Sequence, residues 1–142
     1  MAAAIIEIAD AVLAALLSGS FSQSFVAKRV YVPKFLREEI EALQVTVRPA
    51  KDQSKFACRG IDAHTYGIEI GITQGVPDAE NATLDPLTQF TQDVAEAFGK
   101  RNAIPGRDEV CLQTDMLLPD PEQLQAGGVF QSLVTLTIQG VR

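Results

Sequence analysis

His64 is the only histidine in the chain, so any imidazole acid, base or metal role falls to it alone. Asp62, two residues before it, supplies at most a second ligand, short of the set a zinc site uses. No GxGxxG, GxxxxGK[ST] or HExxH occurs, and no serine or cysteine stands at a recognisable nucleophile elbow. Glu69 is a possible catalytic carboxylate, but no second acid is spaced to pair with it, which favours a solvated or subunit-facing charge. Cys58 and Cys111 form no CxxC and have no nearby histidine, the pattern of two buried thiols rather than of redox or metal chemistry. These residues point to a non-enzyme, with no cofactor and no metal.

Charge is more informative. The net charge is −6, yet residues 28–59 hold eight of the twelve basic side chains against four acids, leaving that segment at +4 and the remainder at −10. A basic patch on an acidic body suits nucleic-acid contact, and Tyr31, Phe35 and Phe56 lie among the basic residues as candidate stacking platforms. The overall acidity argues the other way. The same split suits copies that dock basic side to acidic side, as head-to-tail rings do. Lys28, Arg29, Arg48 and Lys51 are the candidate interface cations.

The elements that must position these residues are organised around His64 to Gln74, HTYGIEIGITQ, whose side chains alternate with a strand's period of two. His64, Tyr66, Ile68, Ile70 and Ile72 share one face; Thr65, Gly67, Glu69, Gly71 and Thr73 share the other. Gly67, Gly71 and Gly75 suggest close approach of another backbone on the second face. Residues 3–17 form an amphipathic helix with Ile5, Ala9, Val12, Leu13 and Leu16 inward, and Gly19 supplies a left-handed end. Glu7 and Asp10 interrupt this apolar start and no basic residue precedes it, so neither export nor a membrane span is expected. A strand over 25–32 ends at Pro33, and residues 34–43 read as a short helix or extended connection. A second strand over 43–48 closes at Pro49, and 50–55 reads as a turn.

After the loop 76–84, in which Asn81-Ala82-Thr83 reads as a turn, Asp85 as N-cap and Pro86 at the first helical position open a second helix. It carries Leu87, Phe90, Val94, Ala97 and Phe98 inward, and ends at Gly99 with Lys100 and Arg101 near its carbonyl end. Pro105-Gly106 marks a turn. Strands follow over 109–118 and 129–141, joined by a polar connector over 119–128. The expected architecture is one α+β domain over 1–142: an antiparallel or mixed sheet of about four to five strands, ordered α-β-β-β-α-β-β, with both helices on one face.

The helix ending in LSGSFSQSF (17–25) is followed by the basic strand KRVYVPKF (28–35), then LQVTVRP (43–49), YGIEIGI (66–72) and the closing SLVTLTIQGVR (132–142). Together these phrases resemble the neck proteins of tailed bacteriophages, in particular the tail terminator or tail completion group. The resemblance implies a virion protein assembled in the host cytoplasm. It would form a homo-oligomeric, usually hexameric ring on the last ring of the tail tube protein, halting tube growth and joining the head-side connector. A head-completion or adaptor ring on the portal side is the alternative within the class, and a basic-patch nucleic-acid binder is the rival outside it. Genomic DNA would pass such a ring without sequence-specific contact, and acidic side chains on the lumen would keep it from adhering. Glu69, Asp78, Glu80, Asp115, Asp120 and Glu122 are the lumen candidates.

Overall fold

The structure, a computed structural model, describes residues 3–21, 23–33, 35, 38–78, 80–99, 104, 107 and 109–141. The chain runs α1 (Ala4–Ser18), β1 (Val26–Arg29), a 3-10 turn (Glu39–Glu41), β2 (Gln44–Cys58), β3 (Ile61–Gly75), α2 (Asn81–Phe98), β4 (Val110–Leu117), α3 (Pro121–Gly127) and β5 (Val129–Val141). The five strands form one sheet in the order β1-β2-β3-β5-β4. The sheet is mixed, because β1 runs parallel to β2 while every other pairing is antiparallel.

β3 is the central strand, and its alternation decides what lies on each side. Ile68, Ile70 and Ile72 are 0 % exposed, a burial that contributes about 1.5–3 kcal/mol for each side chain. They register with Val47 and Val45 of β2 and with Leu136 and Val134 of β5 on the same face. α1 covers the β1 and β2 side of that face with Ile8, Val12 and Leu16; α2 covers the β5 and β4 side with Phe90 and Val94. Phe21, Phe25 and Phe90 join the two halves through ring contacts of 5.4–5.8 Å between centroids. Beneath α2, Thr91 donates its hydroxyl to the Leu87 carbonyl at 2.9 Å, so its one hydrogen is used. Ser132 must therefore be the donor in the buried 2.8 Å bond between the two hydroxyls.

Several local expectations are corrected. β2 does not close at Pro49, and residues 50–55 are strand rather than turn. Pro49 lies beyond the last residue paired with β1, and a register shift follows it between Pro49 and Lys51. An edge and a bulge are the two places where a strand accommodates proline. The real turn is Arg59-Gly60, with Gly60 at φ 76°. Asp62 accordingly belongs to β3.

α2 starts at Asn81, not Asp85, so Pro86 sits inside the helix and Asn81-Ala82-Thr83 forms its first turn. The N-cap residue is Glu80, which makes no side-chain cap bond; ahead of it Asp78 Oδ1 accepts from the Glu80 N–H at 3.0 Å and the Thr83 hydroxyl at 2.7 Å, tying the loop to the first turn. Ala97 is exposed on α2, and Thr91 takes an inward position instead. Gly19 and Gly99 end their helices at φ −78° and −77°, without a left-handed residue. The connector over 119–128 contains α3, capped by Asp120 and ended by Gly128 at φ 61°. β1 is shorter than expected, four residues with its last backbone bond from Val30 to Val47. Lys34, Arg37, Lys100, Arg101 and the Pro105-Gly106 turn lie outside the described residues.

Candidate functional site

With one face sealed by α1 and α2, the opposite face of the sheet is where surface chemistry is displayed. Register places Arg48, Glu69, Thr135 and Asp115 in one row across it, from β2 to β4. The adjacent row is Lys28, Thr46, Gly71, Leu133 and Leu117. Above this second row lies a groove of about 620 Å³. Thr46, Gly71 and Leu133 form its floor; Pro33 and Phe35 line it from the β1 side, and Leu117, Leu118 and Pro121 from the β4 side. The Lys28 ammonium stands 5.1 Å from the centre of the Phe35 ring, which helps hold that wall.

Of Gly67, Gly71 and Gly75, it is Gly71 that lines the groove. A Cβ on Gly71 would lie 2.8 Å from Thr46 Oγ1, and one on Gly67 would lie 3.3 Å from Lys51 Cβ. Gly75 faces Ile40 of the 3-10 turn at 3.5 Å, so this close neighbour belongs to the same chain. Thr46 is 3 % exposed and Gln44 donates to the Glu39 carbonyl at 2.8 Å. One end of the open face is thus covered from within, while the groove itself stays open.

Three of the four candidate interface cations are engaged inside the chain. Arg29 faces the helices and binds Asp10 of α1 at 2.6 Å, a contact that raises its pKa, chiefly through that hydrogen bond. Arg48 binds Glu69 at 2.8 Å and the Tyr31 carbonyl at 3.0 Å. Lys28 lies 4.0 Å from Glu39. Lys51, with Lys55 and Arg59 further along the hairpin, is exposed and makes no ion pair among the described residues.

The six acidic candidates separate by place. Glu69 and Asp115 share a row of the open face, Glu69 bound to Arg48 and Asp115 accepting from Gln113. Asp120 lines the groove and caps α3, with Glu122 in that helix's first turn. Asp78 and Glu80 sit at the start of α2, where the Thr83 hydroxyl and then the Glu80 N–H lower the Asp78 pKa. All six apart from the half-buried Glu69 are exposed.

His64 binds Asp52 of β2 through Nδ1 at 3.1 Å, not Asp62, and stacks on Tyr66 at 5.8 Å. Asp52, diagonal to it across the hairpin and in register with Tyr66, is a partner that sequence spacing does not reveal. Nearby, Arg107 bridges Glu109 and, at 3.4 Å, Glu7 of α1. The hydrogen bond from Arg107 holds the Glu109 carboxyl below its ordinary range. Among the described residues no cluster of His, Cys, Asp and Glu could hold a metal ion, and no helix is long and apolar enough to cross a membrane. The thiols are not both buried. Cys58 is exposed near the hairpin tip, whereas burial raises the pKa of Cys111.

Sequence reading missed the apolar surface of β4. Leu112 is 57 % exposed, Leu117 66 % and Leu118 48 %. The strand's β composition was legible, but not that it would be the edge strand of the sheet among the described residues. The chain matches no protein-family model, and no curated protein is significantly similar to it.

Proposed function

We propose that this chain is a structural subunit of a tailed-phage neck, forming a ring that caps the tail tube, ends its growth and meets the head-side connector. The observation that carries the self-assembling part is the asymmetry of the sheet. Two helices seal one face, while the other holds an open groove beside an edge strand with large apolar side chains in water. Exposed apolar surface of that kind marks a contact site, and an edge strand is a standing invitation to pair or be covered. The neck assignment rests on the resemblance of the phrases at 17–25, 28–35, 43–49, 66–72 and 132–142. The role is structural rather than catalytic, with a homo-oligomeric ring as the working form in the virion.

Light scattering on the purified chain, with electron microscopy of the same sample, tests this reading. A closed ring, expected as a hexamer, supports it. A strict monomer at all concentrations, or a monomer that retards DNA in a gel at moderate salt, overturns it. Arg29 and Arg48 are already neutralised by Asp10 and Glu69, which removes two of the eight basic side chains of residues 28–59 from the nucleic-acid reading.

A further inference from the structure

β2 and β3 pair as far as Cys58 and Ile61, and the hairpin turns at Arg59-Gly60. The pairing of β3 with β5 is described as far as Ala63, opposite Val141. The hairpin tip presents Phe56, 72 % exposed, and Ile61, 39 % exposed. Phe56 registers with Asp62 while Ile61 is that residue's neighbour, so the two apolar side chains lie on opposite faces of the tip. Lys55 and Arg59 flank them, both exposed. The tip is an apolar wedge with a cationic collar.

The groove at the other end of the sheet has the complementary character. Its walls are apolar; on the β4 side the charges around it are Asp120 at its rim, Glu122 in the following turn and Asp115 in the next row of the sheet, and on the β1 side Lys28, against Phe35, is paired with Glu39. A groove of about 620 Å³ is within the size range of built concave sites, about 300–1,000 Å³. The tip cannot reach the groove of its own chain. Gly71 lies nine residue steps along β3 from Asp62, which at about 3.3 Å per step is about 30 Å.

We propose that the hairpin tip of one copy docks in the sheet groove of a second copy, with Phe56 as the anchor. The ring lies over Gly71 and Leu133, between Phe35 and Leu117, and Lys55 and Arg59 meet Asp115, Asp120 and Glu122. The contact joins two different surfaces of the same chain, so it is head-to-tail and propagates until rotation closes it into a ring. An aromatic anchor in an apolar pocket with opposite charges at the rim is the arrangement that concentrates binding energy. This inference rests on the self-assembling part of the proposed function and not on the phage assignment.

The test compares the full chain with Phe56→Ser at the tip and Leu117→Lys in the groove, by sedimentation velocity over a range of concentration and salt. Both positions are exposed, and circular dichroism checks that both variants remain folded. Each variant alone is expected to associate at least about tenfold more weakly than the parent, a loss of about 1.4 kcal/mol. Their mixture retains one intact tip and one intact groove, and forms dimers that grow no further. Association of the parent weakens with salt. Phe56→Ser that assembles as the parent does, or a mixture that yields no dimer, overturns the docking while leaving a ring of other construction standing. A parent that never associates overturns both readings. As an independent measurement, Leu118→Cys in a Cys111→Ser background is treated with a bismaleimide crosslinker. A ladder of multimers through Cys58 of one copy and the new thiol of the next supports the geometry, and dimers alone count against it.

Discussion

Arg48 of β2 and Glu69 of β3 face each other across the open side of the sheet, Nη1 to Oε2 at 2.8 Å. By sequence the first is an interface cation and the second a lumen acid; in the fold each satisfies the other. Both side chains keep about a third of their surface in water, 39 % and 30 %, which limits such a pair to about 0–1 kcal/mol. A double-mutant cycle with Arg48→Gln and Glu69→Gln, read by urea denaturation, is expected to give a coupling energy in that range. The coupling should shrink as salt is raised. A coupling well above it would mean that the pair is more desolvated than its exposure indicates.

Gly71 and Thr46 set the depth of the groove floor, and their closeness is testable by substitution. In an ordinary strand position Gly→Ala is favourable, by roughly 0.5–1 kcal/mol. Here the added carbon meets Thr46 Oγ1 at 2.8 Å in a residue only 3 % exposed, so Gly71→Ala is expected to destabilise by about 1–3 kcal/mol. Thr46→Ala removes the obstructing oxygen. The double variant should recover most of the loss, and failure to recover would place the strain elsewhere.

Acid should loosen the chain through two carboxylates held below their usual pKa. Thr83 and the Glu80 N–H bind ionised Asp78, and Arg107 binds ionised Glu109. Each group therefore contributes stability that is fully present above the unfolded carboxylate range, about 3.9–4.3. That contribution is lost as pH falls through the lower, folded value. Denaturation midpoints measured from neutral pH downward should be flat until about pH 5 and then decline. Asp78→Ala or Glu109→Gln should flatten the acid limb; an unchanged limb in both variants would assign the decline to other groups.

The two thiols should separate by rate. Cys58 is exposed, whereas burial raises the Cys111 pKa and lowers its thiolate fraction at neutral pH. Alkylation of the native chain followed by mass spectrometry should show fast modification at Cys58 and slow modification at Cys111. Unfolding in denaturant should bring the rates together. Equal rates in the native chain would mean that β4 opens readily.

Local alternation and helical spacing determined a good deal without coordinates. The isoleucines at 68, 70 and 72 could be satisfied only on one buried face, and the inward stripes of α1 and α2 had to supply its cover. The α+β class, β3 as the central strand and both helices on one side follow from that requirement. What only tertiary structure decided is where a local signal is overruled by pairing. Pro49 and the polar run after it look like a strand end, yet β3 supplies the backbone partners that carry β2 on to Cys58. α2 begins at Asn81 rather than Asp85, and Asp78 before the helix folds its carboxylate back onto Glu80 and Thr83. Charge patterning likewise marks which residues are basic, but which of them remain available is a matter of register. Arg29 and Arg48 are consumed by partners 19 and 21 residues away, while Lys51, Lys55 and Arg59 of the hairpin stay exposed. Such contacts depend on distances through space, and periodicity along the chain carries no record of them.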